Sequence, residues 1–174
     1  MKGFLIFLAV LVFMPHNGSA MEGVCIEGDC KNGKGIYVWE DGSRYNGDWK
    51  MSKQNGKGEM VYPEEERYTG EWKNEKRHGK GVMVYLEDET YKGDWKNGRR
   101  SGIGNMTYLN GEIFKGEWKK DKWHGKGQYL FPDGTKFSGQ WRNNVKHGTG
   151  KRLYPNGKTE TLEYRDGTLL EAVH

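Results

Sequence analysis

The sequence predicts an all-β protein: an elongated, twisted antiparallel meander of tandem β-hairpins, with about 11–13 strands. Three observations predict it. The first is a pentad, aromatic-x-Gly-x-Trp. It occurs at Tyr45-Asn46-Gly47-Asp48-Trp49, Tyr68-Thr69-Gly70-Glu71-Trp72, Tyr91-Lys92-Gly93-Asp94-Trp95, Phe114-Lys115-Gly116-Glu117-Trp118 and Phe137-Ser138-Gly139-Gln140-Trp141. Its Trp positions advance by 23 residues each time. A fixed period of this size marks a repeat architecture, in which each unit buries its apolar face against its neighbours. The second is alternation. Gly58, Met60 and Tyr62 fall on every other position of one segment, and Tyr68, Gly70 and Trp72 on every other position of the next. A period of two places each set on one face of a strand. The third is punctuation. Asp41-Gly42, Asn110-Gly111, Asp133-Gly134 and Asn156-Gly157 separate these runs. Such pairs tolerate positive φ and read as hairpin turns. Glu64-Glu65 and Glu87-Asp88 occupy the same place in the middle repeats. No helical periodicity competes with this pattern.

Taken in order, residues 1–20 stand outside the repeat. Lys2 precedes an apolar run from Phe4 to Met14, Pro15 breaks it, and Gly18-Ser19-Ala20 supplies small residues. This is the pattern of a secretory signal peptide cleaved after Ala20, which predicts a secreted or periplasmic protein. The run is too short to span a bilayer. Residues 21–32 read as an N-terminal cap. Cys25 and Cys30 flank the turn-forming Gly28-Asp29. An oxidising compartment favours their pairing as a disulfide, worth about 2 kcal/mol for so small a loop on the chain-entropy argument. A redox role would prefer Cys-x-x-Cys, and zinc would need two more ligands nearby. Residues 33–157 carry the repeats, each with a Gly-x-Gly pair (Gly56 and Gly58, Gly79 and Gly81, and so on). The lysine-rich stretch from each Trp to the next Gly-x-Gly reads as the connection between hairpins. Residues 158–174 read as a C-terminal cap strand and tail, with Leu162 and Tyr164 at the Gly and Trp positions. Val24 and Ile26 hold those positions at the other end. Atypical terminal repeats are expected as caps.

The pentad followed by Gly-x-Gly, in five copies over residues 33–157, resembles the MORN repeat family (membrane occupation and recognition nexus). The resemblance implies a MORN repeat sheet without a separate core layer, acting as a protein- or lipid-interaction module. Residues expected to build it are Tyr45, Gly47, Trp49, Tyr68, Gly70, Trp72, Tyr91, Gly93, Trp95, Phe114, Gly116, Trp118, Phe137, Gly139 and Trp141. Adjacent strands lie about 4.8 Å apart, so successive Trp residues stand about 10 Å apart and cannot touch. The aromatic of the intervening strand is expected to fill the gap, with Trp72 between Tyr62 and Tyr85 and Trp95 between Tyr85 and Tyr108. The Gly residues leave room for rings to lie across the backbone.

The net charge is +4, and its placement says more than its size. The Trp-to-Gly segments carry sixteen Lys or Arg against two acids, Glu75 and Asp121, whereas the hairpin-turn segments carry ten acids and three bases. One edge of the sheet should therefore be basic and the other acidic. The candidate anionic-ligand edge comprises Lys73, Lys76, Arg77, Lys96, Arg99, Arg100, Lys119, Lys120 and Lys122. Basic residues near an anionic membrane contribute about 1 kcal/mol each, though solvated loops explain the same composition. Catalytic chemistry finds no constellation. His78, His124 and His147 recur at the repeat spacing, too far apart to share a metal whose nitrogen ligands sit at about 2 Å, and read as turn residues. Asp48, Glu71, Asp94 and Glu117 form a ladder about 10 Å apart, which suits salt bridging or solubility better than a reactive pair. The expectation is a non-enzymatic binding or scaffold protein without metal or cofactor. It holds a protein partner or itself; the alternative is a peripheral module that binds anionic lipid. Nucleic acid and small-molecule substrates are not expected, because the aromatics are committed to packing.

Overall fold

A computed structural model describes residues 22–173. The signal peptide expected over residues 1–20 lies outside the described residues. The described chain is a single open sheet of 14 strands in which every strand pairs antiparallel with its sequence neighbours, in the order β1 to β14. The strands are β1 (Gly23–Gly28), β2 (Lys34–Trp39), β3 (Arg44–Lys50), β4 (Lys53–Val61), β5 (Arg67–Lys73), β6 (Lys76–Val84) and β7 (Thr90–Lys96). They continue as β8 (Arg99–Thr107), β9 (Ile113–Lys119), β10 (Lys122–Leu130), β11 (Lys136–Arg142), β12 (Val145–Leu153), β13 (Thr159–Arg165) and β14 (Thr168–Val173). A short 3₁₀ turn, Leu86–Asp88, follows β6. The count exceeds the expected 11–13 because the C-terminal tail folds back. Asp166 and Gly167, with φ of 48° and 88°, close one more hairpin and pair the tail as β14.

The two long edges use different turns. Along one edge the strands are joined by residue pairs in which both members have positive φ: Met51-Ser52, Asn74-Glu75, Asn97-Gly98, Lys120-Asp121, Asn143-Asn144 and Asp166-Gly167. This is the conformation that matches strand twist in two-residue hairpins. The segments after each Trp are therefore not long connections. They are tight turns followed at once by strand, so that Gln54, Arg77, Arg100, Trp123 and Lys146 lie in strands. Along the opposite edge the Asp-Gly and Asn-Gly pairs sit in longer loops. Gly42 N–H donates to Trp39 O at 3.0 Å and Trp39 N–H to Ser43 O at 2.9 Å, and only the Gly of the pair has positive φ.

Each Trp-bearing strand meets its neighbour through a bulge. Gly47 pairs with Gly58 and Trp49 with Gln54, so β4 carries extra residues between them. Gly56 turns the chain there with φ of 79°, and the Asp48 carboxylate accepts the Lys57 N–H at 2.8 Å. Glu71, Asp94 and Glu117 do the same for Lys80, Ile103 and Lys126 at 2.8–2.9 Å. The carboxylate ladder is thus built into the bulges. His78, His124 and His147 lie in strands β6, β10 and β12 rather than in turns, because the positive-φ Gly after each makes a bulge within the strand.

The core is one face of the sheet. Tyr45, Tyr68, Tyr91, Phe114 and Phe137 are fully buried, with Trp49, Trp72, Trp95, Trp118 and Trp141 nearly so. The expected ring order is corrected here. Trp72 packs edge-to-face between Tyr45 and Tyr68 at 5.4 and 5.1 Å, and Trp95 between Tyr68 and Tyr91 at 5.3 and 5.1 Å. The pentad aromatic fills the gap because its ring crosses Gly47 and Gly58, or their equivalents, which have no side chain to stop it. Each indole then donates to a Gly carbonyl 14 residues back, from Trp49 to Gly35 and Trp118 to Gly104, at 3.0–3.4 Å. Tyr62, Tyr85, Tyr108 and Phe131 are only half-buried and flank this ladder.

Both ends depart from the repeat. At the C-terminus Leu162 and Tyr164 are buried and continue the ladder, Tyr164 lying 5.5 Å from Phe137. At the N-terminus Val24 and Ile26 are well exposed. A Cys25–Cys30 disulfide, with Cα atoms 6.0 Å apart, closes the first turn instead.

Candidate functional site

Five side chains, one per repeat, occupy a shared position on the aromatic face: Gln54, Arg77, Arg100, Trp123 and Lys146. Four of them plug the surface above the rings. The Arg77 guanidinium lies 4.4 Å from the Trp95 ring and 5.8 Å from Tyr68. Arg100 lies 4.6 Å from Trp118 and 5.7 Å from Tyr91. Trp123 stacks on Phe114 at 4.5 Å, and Lys146 sits 4.7 Å from Phe137. Each guanidinium is tied to the next tight turn. Arg77 donates to Gly98 O and Arg100 to Asp121 O, both at 3.2 Å, and the Asp121 carboxylate also faces Arg100 Nε at 3.5 Å. The plug position was not visible in the sequence as a motif, because Gln, Arg, Trp and Lys share no chemistry. Its signal was position alone, five residues after each Trp.

The anionic-ligand edge divides accordingly. Lys73, Lys76, Lys96, Arg99, Lys119, Lys120 and Lys122 are exposed along the tight-turn edge. Arg77 and Arg100 turn onto the aromatic face, where Trp rings and turn carbonyls hold them, and are not teeth of a comb. The opposite edge carries the acids, Glu64, Glu65, Glu87 and Asp88 among them, all exposed. The sheet therefore has a basic and an acidic edge with an aromatic face between.

The electrostatics of the aromatic face follow from burial. Tyr45, Tyr68 and Tyr91 have hydroxyls pushed well above the usual phenol range because the phenolate would lose its hydration. Tyr108 is pushed up to about 12, burial outweighing the opposing pull of Arg100. Lys146 is lowered by burial and then by the nearby Arg152. Among the described residues, no cluster of three or more His, Cys, Asp or Glu is arranged to hold a metal. Nor does any helix among them have the length and apolarity to cross a membrane. A recess of about 730 Å³ opens at the N-terminal end of the aromatic face against Tyr37, Trp39, Trp49, Gln54 and the disulfide, with Lys31 and Glu75 at its lining. Grooves of about 590 and 550 Å³ run across the glycine rows, the first between Lys, Asp, Glu and Thr side chains, the second between Thr69, Lys80, Lys92 and Asn105.

No curated protein matches this chain. Among solved structures it is similar to the TCP10 domain of Danio rerio CPAP in complex with a peptide of Danio rerio STIL, with a TM-score of 0.50 and 11% identity. That match covers 82% of this chain but only 64% of the other. The TCP domain of Drosophila melanogaster SAS-4, in complex with a proline-rich motif of Ana2, is matched with a TM-score of 0.45 and 13% identity, over 96% of this chain and 99% of that one. At these identities the likeness is one of fold. The family model of the MORN repeat matches residues 31–44, 45–66, 68–85, 91–113, 114–136 and 137–159, so most of the chain is accounted for by it. With pentad, bulge and aromatic ladder recurring in register through those segments, the chain belongs to the MORN repeat family.

Proposed function

We propose that the protein is a non-enzymatic scaffold of a secretory or periplasmic compartment that holds an extended segment of a protein partner on its aromatic face. The observation that carries this reading is the row of half-buried rings, Tyr62, Tyr85, Tyr108 and Phe131. No second layer covers this row among the described residues, and the cationic plugs Arg77, Arg100 and Lys146 stand beside it. Aromatic and Arg side chains are the groups that dominate protein-recognition surfaces. A solved domain of similar fold holds a peptide, which supports the same use of this sheet. The leader pattern of residues 1–20 and the Cys25–Cys30 disulfide support an oxidising compartment.

The test is selection of a displayed random peptide library on the full-length protein. Retained peptides should lose binding when Tyr62 and Tyr85 are changed to Ser. Failure to retain any peptide, or retention indifferent to these changes, would refute the reading. The exposed lysines of the tight-turn edge favour a second reading, docking on anionic lipid. Co-sedimentation with anionic but not neutral liposomes, weakened by salt, would promote it. Absence of binding at low salt would dismiss it.

A further inference from the structure

The recess at the N-terminal end is a vacancy in the row of plugs. Counting back one period from Gln54 gives Lys31. Its register mates Arg77 and Arg100 each cover the Trp that lies 18 residues on, and the corresponding ring for Lys31 is Trp49. Lys31 is exposed, and no cation–ring contact of its own is found among the described residues. The segment keeps the backbone register, the Ser52 N–H donating to Lys31 O at 2.9 Å, and Lys31 borders the recess; its side chain covers no ring, and Trp49 is walled instead by Tyr37 and Trp39. Their ring centroids are 4.8 Å apart, and Tyr37 lies 5.7 Å from Trp49.

The acceptors that serve a guanidinium elsewhere remain in this recess. Ser52 stands in the tight-turn place of Gly98, whose carbonyl accepts from Arg77, and Ser52 lines the recess. Glu75 stands in the place of Asp121. Its N–H bonds to Gln54 O at 3.0 Å just as that of Asp121 bonds to Arg100 O at 3.0 Å. Asp121 is paired with Arg100. The residue that stands to Glu75 as Arg100 stands to Asp121 is Gln54, which carries no charge, and no cation pairs with the exposed Glu75 carboxylate among the described residues. Gln54 is itself 95% buried and lines the recess. The recess thus combines the half-buried rings of Tyr37 and Trp39 beside Trp49, an unpaired carboxylate and a buried amide side chain. Carboxylates and carbonyls bind guanidinium in a fixed fork geometry, and indole faces attract it.

We infer that this recess is a docking site for an arginine side chain of the partner segment, which supplies from outside the plug that Arg77 and Arg100 supply within the chain. The inference rests on the scaffold reading above and adds the partner's chemistry to it. Lysine fits less well, because a point charge cannot reach carbonyl and carboxylate acceptors in a planar fork while lying flat on a ring.

The test is titration of the ¹⁵N-labelled full-length protein with Nα-acetyl-arginine amide, read at the indole resonances of Trp39 and Trp49. Nα-acetyl-citrulline amide serves as the neutral isostere. Saturable shifts at both indoles are expected with arginine amide and none with citrulline. Glu75→Gln should weaken binding about tenfold, the loss of one charge-assisted contact. Gln54→Arg should abolish it by pairing with Glu75, while the remaining indole signals keep their folded dispersion. No saturable shift, an equal response to citrulline, or unchanged affinity in Glu75→Gln would overturn the inference. Library peptides that bind the aromatic face yet ignore Glu75→Gln would sink the arginine site and leave the scaffold standing. Arginine amide binding without any retained peptide would do the reverse.

Discussion

Replacing Gly81 by Ala adds one methyl group, and the structure says where it goes. An ideal Cβ on Gly81 would lie 2.3 Å from Tyr68 Oη, 2.5 Å from Cζ and 2.6 Å from Cε2. Tyr68 is fully buried, so its ring cannot step aside into solvent. Overpacking of this kind costs about 1–3 kcal/mol. Moving the ring also disturbs its edge-to-face pairs with Trp72 and Trp95, at 5.1 and 5.3 Å, each worth about 0.5–1.5 kcal/mol. Restricting the unfolded chain returns about 0.4–1 kcal/mol. The net loss is about 1–5 kcal/mol, which for a chain of this size lowers Tm by about 3–20 °C. Urea unfolding followed by Trp fluorescence and far-UV circular dichroism measures it. Tyr68→Phe in the same chain should not rescue it, because the ring carbons remain within 2.6 Å. A loss below about 0.5 kcal/mol, the size of an ordinary surface substitution, would refute the reasoning. Full rescue by Tyr68→Phe would refute it too, since the clash would then lie with the hydroxyl and not the ring.

Arg100→Gln should destabilise by about 1–2 kcal/mol through its ring and turn contacts, whereas the exposed neighbour change Arg99→Gln should stay within about 0.5 kcal/mol; parallel urea titrations compare them. Charge-reversal tests of lipid binding should accordingly use Arg99, Lys119, Lys120 and Lys122 and spare Arg100, and liposome binding that survives all four would count against the basic edge. Alkali should unfold the protein cooperatively. The buried tyrosines, raised above the usual phenol range by burial, ionise first in the unfolded chain, so their contribution is whole below about pH 10 and falls as pH rises beyond it; phenolate absorbance that reached its full amplitude before the loss of circular dichroism would contradict this. Reducing Cys25–Cys30 should cost at most about 2 kcal/mol and loosen β1 and β2 first, seen as faster amide exchange confined to that end.

How far the sequence could be read depended on whether each residue's role followed from its own period. The pentads and their spacing implied the meander, because alternation and a 23-residue step leave few other ways to bury Trp. Spacing places strands but not ring directions, so it does not identify the ladder partner, and the glycines that admit Tyr45 across Gly58 act through space, not sequence. The Asp-Gly and Asn-Gly pairs do join antiparallel strands, but a second set of hairpins, across the lysine-rich segments, reads from the sequence only as connections. Four of those tight turns carry Asn or Asp at the first position, as in Asn97-Gly98 and Asp166-Gly167, which tolerate positive φ, whereas Met51-Ser52 and Lys120-Asp121 take it without that preference at the first position. Arg77 and Arg100 read as surface charge until the sheet placed them over Trp95 and Trp118. The vacancy above Trp49 could not be read at all, since it is defined by what the neighbouring repeats contain.

The one-layer sheet also sets how the molecule would respond to tension. Its ends, β1 and β14, lie at opposite extremes of a row in which each strand holds only its two neighbours. A pull between them runs along the hydrogen bonds and opens them in succession, without shearing many at once. Each repeat released frees 23 residues, about 80 Å of extended chain in place of about 10 Å of folded sheet. The protein would then lengthen in near-equal steps of about 70 Å at low force. It would behave as an extensible strap whose units let go one by one from the ends, while those still closed keep their surfaces intact.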